Sequence, residues 1–349
     1  MPEKFKKILI IKLRAIGDVV MSTVVLDNLR AAYPKARIDF LTETESKDIV
    51  FGNPILNQVL VFDRKRVARL PFWKKMKENL HLIARIRNQK YDIVFDFFGN
   101  PRSAWLTFLS GAETRIGYNY RFRKFAYNVV AHSRADQVHE VDWHLDALKE
   151  MELPIKEKRI SVAIGEGSKN LAETFWHEAG LAGYPVIAIH FSGGWPTKKW
   201  PLDRFAHLID LLSQKYDAKI ILVWGPGEKD EAEKLQGLAT APTTLIPKTT
   251  LKQLAAILAK ADLMVTTDSG PMHIAAAMGT PCVALFGPTN PQLQGPYGDF
   301  HEIVRQEELE CLGCNLLSCS HHSCMTMLSV SDVLNGIDRC VQKNDLFVL

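Results

Sequence analysis

The sequence lacks several patterns that define whole classes of protein. None of its apolar runs is long enough to span a bilayer, and its first residues carry no cleavable signal pattern, so we expect a cytoplasmic protein. Neither sign of charge dominates, because 43 Lys and Arg stand against 39 Asp and Glu. This balance does not favour histone-like electrostatic binding of nucleic acid, and we expect no nucleic-acid partner.

Two common nucleotide-binding fingerprints are also missing. The pattern G-x-G-x-x-G does not follow any predicted strand, and G-x-x-x-x-G-K-[ST] is absent as well. These absences count against a dinucleotide-dependent oxidoreductase and against a P-loop phosphotransferase. The six cysteines do not form the spread-out framework of a disulfide-stapled secreted domain, because four of them fall between Cys311 and Cys324.

What the sequence does contain is a strand-helix pattern that occurs twice. The 349 residues, 47% of them hydrophobic, can fill two cores. A first series begins with strand 7–13, and a second begins with strand 186–191 after a Gly-Leu-Ala-Gly-Tyr-Pro connection. The pattern predicts an α/β fold with two Rossmann-like domains, over residues 1–180 and 181–328, followed by a C-terminal helix within 329–349. In open parallel sheets, ligands bind beyond the carboxyl ends of the strands, so the loops after strands are the candidate sites.

The most distinctive of these loops lies between a buried strand and a short helix in the second domain. It reads T-T-D-S-G-P-M-H, from Thr266 to His273. Gly270 allows a tight turn, Pro271 suits the first helical position, and the free N–H groups of the helix start can bind a diphosphate. A capped turn with Asp268 and Ser269 as ordinary capping residues is equally compatible with this pattern alone.

Two neighbouring loops favour a nucleotide. The loop after Phe191 contains Ser192, Gly193 and Lys198, and a positive charge there would neutralise a departing nucleotide diphosphate. The loop after Trp224 places Glu228 at a helix start, where a carboxylate can accept hydrogen bonds from ribose hydroxyls. An acid in a first helical turn is more often a partner of the helix dipole.

The first domain has its own candidate in the loop after its first strand. Arg14 begins the sequence R-A-I-G-D, which ends at Asp18 and leads into a helix. Asp18 could be the helix N-cap. Alternatively, it could be the base that takes the proton from an attacking hydroxyl during sugar transfer with inversion.

These blocks together resemble the ADP-heptose:lipopolysaccharide heptosyltransferase family of bacterial GT-B glycosyltransferases, over nearly the whole chain. The resemblance rests on R-x-x-G-D with the following V-M-S-T, on K-K-W-P, and most specifically on T-D-S-G-P-M-H-I-A-A-A-M-G-T-P-C-V-A-L-F-G-P-T. It implies a donor in the C-terminal domain, an acceptor in the N-terminal domain, a cleft between the two, and a final helix that packs back on the first domain.

The resemblance also implies roles for individual residues. Asp18 matches the catalytic base, and Lys198 matches the lysine that contacts the donor diphosphate. Asp268 matches the acid that orients the donor sugar, and Glu228 matches the ribose contact. The expected donor-binding set is Ser192, Gly193, Lys198, Glu228, Thr267, Asp268, Ser269, Gly270 and His273. The sequence contains no D-x-D triplet, which agrees with a metal-independent mechanism, and we expect no other cofactor.

A basic segment in the first domain suits an anionic acceptor. Residues 63–90 contain ten Lys or Arg against two acids, with apolar side chains among them. A lipid A and Kdo acceptor would supply phosphates and carboxylates, and contact with the inner face of the inner membrane would be electrostatic. A solvated helix face is the plainer interpretation. The expected acceptor-binding residues are Arg14, Arg64, Arg66, Arg115, Arg121 and Arg123.

Other interpretations of the sequence stay open. The thiols of Cys311, Cys314, Cys319 and Cys324 are numerous enough for zinc, but their spacing is not that of a standard finger, and a packed loop or a disulfide pair is the more ordinary interpretation. We expect no role for them in turnover. The alternatives for the whole chain are a sugar-nucleotide epimerase of the same architecture, a heptosyltransferase-like enzyme that uses another nucleotide sugar, and a binding module without chemistry.

Overall fold

The computed structural model of the protein describes residues 5–119 and 121–347, with the backbone alone at positions 121 and 122. The chain divides into two compact units, Met1–Ala163 and Ile164–Leu349. No helix within the described residues is both long enough and apolar enough to cross a membrane.

The described part of unit 1 contains one six-stranded parallel sheet. Its strands are β1 (Lys7–Ile11), β2 (Arg37–Glu43), β3 (Gln58–Phe62), β4 (Ile93–Asp96), β5 (Thr114–Tyr118) and β6 (Val129–Ala131), in the order β3-β2-β1-β4-β5-β6. Ile8 of β1 lies opposite Ile38 on one side and Ile93 on the other. Apolar runs such as K-I-L-I-I form these central strands because helices cover both faces of a parallel sheet.

The helices of unit 1 connect these strands. They are α1 (Ile16–Ser22), α2 (Val24–Ala32), α3 (Lys47–Val50), α4 (Arg64–Ala68), α5 (Phe72–Gln89), α6 (Pro101–Leu109) and α7 (Glu140–Lys149), with a 3₁₀ helix at Arg121–Ala126. Pro71 precedes the first residue of α5, and the helix ends at Lys90, whose φ of 54° is left-handed. Leu82 and Ile86 attach α5 to the core of the unit.

Unit 2 repeats the arrangement. Its strands are β7 (Val186–His190), β8 (Lys219–Val223), β9 (Thr243–Leu245), β10 (Leu263–Thr267), β11 (Cys282–Leu285) and β12 (Glu302–Val304), in the order β12-β11-β10-β7-β8-β9. Its helices are α8 (Glu166–Glu178), α9 (Leu202–Tyr216), α10 (Lys229–Leu238), α11 (Leu251–Leu258), α12 (Gly270–Met278), α13 (Pro291–Gln294), α14 (Ser323–Thr326) and α15 (Val330–Lys343), with a 3₁₀ helix at Pro196–Lys198.

The boundary between the units differs from the predicted one. We expected it at residue 180, after the helix that is now α8, but the structure divides the chain after Ala163. The reason is that α8 packs against α11 of unit 2. The Gly-Leu-Ala-Gly-Tyr-Pro segment is therefore a connection within unit 2, between α8 and β7.

The last helix packs within unit 2. The resemblance implied that it packs back on the N-terminal domain; within unit 2, the structure places α15 against β11, β12 and α9. Its buried residues Val333, Ile337 and Cys340 belong to the hydrophobic core of that unit. Gly336 permits the close approach, because a Cβ atom at this position would lie 2.3 Å from Cγ2 of Val304.

This contact gives a test of the packing of α15. Gly336→Ala is expected to destabilise the protein by about 1–3 kcal/mol, because the added methyl group overpacks the contact with Val304. Gly237→Ala in α10 is the matched control, since a Cβ there meets nothing within 4 Å. The control should be neutral or stabilising by up to about 1 kcal/mol, as alanine favours the helix. Urea unfolding of both variants checks this, and equal stabilities would contradict the described packing.

Candidate functional site

The strands β7 and β10 lie side by side in unit 2, and the loops that follow them meet at the carboxyl edge of the sheet. Nζ of Lys198, from the first loop, lies 2.6 Å from Oδ2 of Asp268, from the second. The Lys198 side chain is only 14% exposed, and that of Asp268 only 8%. Thr289 donates a second hydrogen bond of 2.7 Å to Oδ2 of Asp268. The structure thus brings together two of the predicted donor-site residues as a largely desolvated ion pair.

The loop that presents Lys198 is held by its own sequence. Lys198 ends the 3₁₀ helix that Pro196 begins, and its Nζ lies 4.4 Å from the centroid of the Trp195 ring. Trp200 is buried and donates its indole N–H to the carbonyl of Leu328 at 2.9 Å. Thr197 donates to the carbonyl of Leu316 at 2.7 Å. The position of the ammonium group is therefore set by packing on both sides of it.

Gly193 allows the two loops to approach each other. A Cβ atom on this residue would lie 3.0 Å from Cβ of Lys198 and 3.6 Å from the carbonyl oxygen of Asp268. The adjacent carbonyl of Ser192 accepts a hydrogen bond of 2.5 Å from Oγ1 of Thr267. A side chain at position 193 would push these loops apart.

The helix start predicted to face a phosphate is present. Ser269 is the N-cap of α12 in extended conformation, Gly270 begins the helix, and Pro271 stands in its first turn. The helix runs from the carboxyl end of β10 to Gly279, whose φ of 83° is left-handed. His273 is buried in the first turn. The first N–H groups of α12 therefore belong to the same strand end as the Lys198–Asp268 pair.

His190 was not predicted as a site residue, but it connects two that were. It is the last residue of β7, and only 3% of its side chain is exposed. Its Nδ1 lies 3.1 Å from Oγ of Ser269, and its Nε2 lies 3.7 Å from Oε2 of Glu228. The signal in the sequence was its position at the end of a strand, directly before the Phe191 loop.

The carboxylate of Glu228 is stabilised in its charged form. Burial by itself raises its pKa, but hydrogen bonding and attraction to His190, together with hydrogen bonds from Ser192 and the N–H of Gly225, lower the pKa to about 2. The Gly225 N–H donates to Oε2 at 2.7 Å. Glu228 is thus an ionised acceptor at the end of β8, the strand next to β7.

Unit 1 contains a buried charge network at the end of β1. Nζ of Lys12 lies 2.7 Å from Oε1 of Glu140 and donates at 3.1 Å to the carbonyl of Phe97, which follows β4. Nε2 of His144 lies 3.4 Å from the same oxygen of Glu140. Burial and the Lys12 charge lower the pKa of His144 to about 4, so the network contains one cation and one anion at neutral pH.

Asp18 lies beside this network in the first turn of α1. The N-cap position belongs to Ala15, so Asp18 is not the N-cap residue. The pKa of Asp18 is raised to about 6. Burial is the largest cause, and repulsion from Glu140 acts in the same direction, whereas the Lys12 charge and backbone N–H groups act in the opposite direction. A carboxylate with this pKa is mostly ionised at pH 7 and can still accept a proton, as a general base must.

The predicted acceptor residues have different environments. Arg14 is exposed, and Nε of Arg64 lies 2.8 Å from Oε2 of Glu43. Arg102, which was not predicted as a site residue, lies over the Phe62 ring, 4.5 Å from its centroid. Burial lowers the pKa of Arg102, and repulsion from Arg64 and Arg14 lowers it too, although attraction to Glu43 raises it. Arg14 follows β1, Arg64 follows β3 and Arg102 follows β4, so these three residues form a basic cluster at the carboxyl edge of the sheet.

The remaining arginines are partly engaged in the fold. Arg66 pairs with Glu78 at 3.1 Å. Arg115 donates to the carbonyls of Ala112 and Ala126, at 2.7 and 3.0 Å, and so ties β5 to the chain around it. Arg123 donates to the carbonyl of Gly99. The side chain of Arg121 lies outside the described residues.

The clustered cysteines are thiols. Cys311 and Cys314 are exposed, Cys319 is half-buried, and Cys324 is buried in α14. Burial raises the pKa of Cys324, and the other three thiols are near enough to raise it further. Within residues 5–119 and 121–347, no group of three or more His, Cys, Asp or Glu side chains is arranged to hold a metal ion.

The chain matches one family model and several known proteins that are named as heptosyltransferases. The model of glycosyltransferase family 9 (heptosyltransferase) matches residues 79–324, more than half of the chain. Lipopolysaccharide heptosyltransferase 3 of Escherichia coli is 26% identical over 339 residues, covering 93% of this chain and 96% of the relative. Lipopolysaccharide heptosyltransferase 1 of Pseudomonas aeruginosa is 26% identical over 333 residues, covering 90% and 88%.

Solved structures show the same fold. A glycosyl transferase family 9 protein from Veillonella parvula has a TM-score of 0.87 at 23% identity, covering 97% of this chain and 98% of that one. The E. coli heptosyltransferase WaaC with ADP has a TM-score of 0.76 at 22% identity, covering 96% and 99%. The predicted α/β class with two Rossmann-like domains, the GT-B fold, is thereby confirmed.

The charge network around Asp18 gives a test that does not depend on activity. Because the Asp18 pKa is about 6 in the folded chain and 3.8 ordinarily, the folded state binds the proton more tightly and loses stability as pH rises between these values. Asp18→Asn removes this loss and should stabilise the protein at pH 8 by up to about 3 kcal/mol, a gain that shrinks toward pH 4.

Urea unfolding of the wild type and Asp18→Asn at pH 4.5 and pH 8 measures this gain. Asp203→Asn, at an exposed position in the first turn of α9, is the control and should change stability by less than about 0.5 kcal/mol. An Asp18→Asn variant that is no more stable than the wild type at pH 8 would refute a raised pKa.

Proposed function

Because this chain belongs to glycosyltransferase family 9, the heptosyltransferase family, we propose that it transfers heptose from ADP-L-glycero-D-manno-heptose to the inner core of lipopolysaccharide. Family membership makes the chain a glycosyltransferase, and its relatives are named as lipopolysaccharide heptosyltransferases. The observation that carries the proposal is the desolvated Lys198–Asp268 pair at the strand end from which α12 begins.

Unit 2 binds the donor in this proposal. Lys198 and the first N–H groups of α12 hold the diphosphate, because an ammonium group and a helix N-terminus both stabilise negative charge. Asp268 holds Lys198 in place and orients the sugar, and the ionised Glu228 accepts hydrogen bonds from the ribose hydroxyls. The other donor contacts we propose are Ser192, Gly193, Thr267, Ser269, Gly270 and His273.

The reaction is a single displacement with inversion. The carboxylate of Asp18 takes the proton of an acceptor hydroxyl as the hydroxyl oxygen attacks the anomeric carbon of the donor. The bond between that carbon and the diphosphate oxygen breaks, and its electron pair leaves with ADP. The pKa of about 6 suits Asp18 to this role, since it is ionised before the step and able to keep the proton afterwards.

The departing ADP develops negative charge, which the enzyme must offset. Lys198 can supply a full positive charge in a site of low solvent access, and the amide groups of α12 add to it. In this proposal, these groups supply the positive charge that a divalent cation supplies in metal-dependent sugar transfer. They are the basis on which we propose a metal-independent reaction without other cofactors.

The acceptor is a lipid A and Kdo core at the inner face of the inner membrane. Arg14 and Arg64 lie in the basic cluster at the carboxyl edge of the unit 1 sheet, where phosphate or carboxylate groups of the acceptor would be attracted. We retain Arg66, Arg115, Arg121 and Arg123 as proposed acceptor residues that act around this cluster. We also propose that the enzyme is cytoplasmic and that electrostatic attraction contributes to its contact with the anionic inner face of the membrane.

The role of Asp18 is tested by removing only its charge. Asp18→Asn is expected to lower kcat for transfer by at least about 100-fold, as loss of a general base does, while ADP still binds by calorimetry with unchanged affinity. An active variant would exclude Asp18 as the base. Incubation of the wild type with donor alone provides a second readout, because an isomerised sugar formed without acceptor would indicate an epimerase instead.

The role of Lys198 is tested against its neighbour in the chain. Lys198→Ala should weaken ADP binding by about 10- to 100-fold, because a charge-assisted contact to the diphosphate is lost. Lys199→Ala is the matched control, since Lys199 pairs with Glu231 at 2.6 Å and should not affect ADP.

The measurement is a thermal-shift titration with ADP, UDP and GDP, in which each midpoint is compared with that of the same variant without nucleotide. The wild type should be stabilised most by ADP. Equal shifts for Lys198→Ala and Lys199→Ala would remove Lys198 from the diphosphate site.

A further inference from the structure

One face of α5 exposes large apolar side chains to solvent. Phe72 is 68% exposed, Trp73 73%, Met76 41% and Leu80 59%. The spacing of four residues between Phe72, Met76 and Leu80 puts them on one side of the helix, and Trp73 stands next to them with its ring centroid 5.3 Å from that of Phe72. Leu82 and Ile86, on a different side, hold α5 to the core. The exposed strip therefore lies outside the core of the unit.

The adjacent face of the same helix is basic and concave. A hollow of about 320 Å³ between α4 and α5 is lined by Arg66, Leu70, Lys74, Lys77, Glu78 and His81. Glu78 is already paired with Arg66 at 3.1 Å. In the part of the chain that the structure describes, Lys74 and Lys77 have no carboxylate within 4.0 Å. The hollow thus presents two ammonium groups toward whatever enters it.

The combination of these two faces specifies the chemistry of a partner. A bilayer of anionic lipids offers phosphates at its surface and an apolar interior a few ångströms below them, in the same order as the two faces of α5. A nucleic acid would satisfy Lys74 and Lys77, but it would leave Met76 and Leu80 against a charged backbone. A basic amphipathic helix with aromatic side chains is typical of an interfacial helix that lies in the plane of the membrane.

The magnitudes indicate which contribution dominates. Full burial of an apolar side chain of this size strengthens membrane binding by about 10- to 100-fold, whereas a lysine near an anionic surface strengthens it by about fivefold. Four apolar side chains, even when only partly buried, therefore contribute more than the two lysines of the hollow. Salt screens only the electrostatic attraction, so attachment through α5 should persist at an ionic strength that abolishes purely electrostatic adhesion.

We propose that α5 is an interfacial anchor, in which Phe72, Trp73, Met76 and Leu80 enter the acyl boundary of an anionic bilayer while the hollow beside them takes a lipid headgroup phosphate through Lys74 and Lys77. This inference extends the proposed function, in which the acceptor is itself a membrane lipid. It adds apolar insertion to the proposed electrostatic contact and assigns most of the binding to that insertion.

The test is co-sedimentation of the full chain with vesicles of phosphatidylethanolamine and phosphatidylglycerol, at 0.1 M and 0.5 M NaCl. The wild type should bind at both salt concentrations. The double variant Phe72→Ser/Trp73→Ser should lose at least tenfold in affinity at 0.5 M NaCl. Lys74→Ala/Lys77→Ala should lose several-fold at 0.1 M NaCl and be nearly unchanged at 0.5 M NaCl.

A matched control uses another exposed aromatic pair of the same unit. Trp105 and Phe108 of α6 are 51% and 42% exposed, and Trp105→Ser/Phe108→Ser should bind vesicles like the wild type. Equal losses in both aromatic double variants would show that exposed aromatics act without regard to α5, which would overturn the proposal. Retention of high-salt binding by Phe72→Ser/Trp73→Ser would overturn it too.

Two further readouts separate membrane anchoring from self-association and from catalysis. If light scattering shows that the wild type is a dimer which Phe72→Ser/Trp73→Ser dissociates without loss of vesicle binding, the strip is a contact between copies and the proposal fails. Transfer to a delipidated, water-soluble core oligosaccharide should be the same in wild type and in this variant. A wild type without any transferase activity but with the expected vesicle pattern would refute the proposed function alone.

Discussion

The pairing of the first strand of each unit with its fourth strand is the constraint on which both candidate sites depend. β1 pairs with β4, and β7 pairs with β10, with all strands parallel. The connections from such a pair leave toward opposite faces of the sheet, which opens a crevice at the carboxyl edge. Asp18 and Lys12 lie at this carboxyl edge in unit 1, and Lys198 and Asp268 lie at the corresponding edge in unit 2.

Each site contains a lysine that is removed from water and held by a carboxylate. Burial of such pairs costs desolvation energy, so they are not an efficient way to stabilise a fold. Their value lies in what they do to neighbouring groups. The Lys198–Asp268 pair fixes a positive charge beside the start of α12. The Lys12–Glu140 pair acts on Asp18, whose pKa is raised to about 6 by burial first, lowered by the Lys12 charge and raised by the Glu140 charge.

Unit 2 shows how packing outside the site supports it. Trp200 is buried and bonded to Leu328, and Thr197 is bonded to Leu316, so the loop with Lys198 is anchored by the chain segment that precedes α15. The buried His190 also supports the site, because its ring lies between Ser269 at the start of α12 and Glu228 after the end of β8. The site is thereby connected to three strand ends, which limits the freedom of its charged groups.

The sequence by itself determined the α/β class, the two Rossmann-like sets of strands and the loops that carry Asp18, Lys198 and Asp268, because apolar periodicity and turn residues are local signals. Only the tertiary structure decided the boundary after Ala163, the packing of α15 on unit 2, the engagement of Arg115 with backbone carbonyls, and the place of His190 and Arg102. These depend on which distant surfaces are complementary. Such complementarity is set by the shape and charge of residues far apart in the chain, and no local pattern contains it.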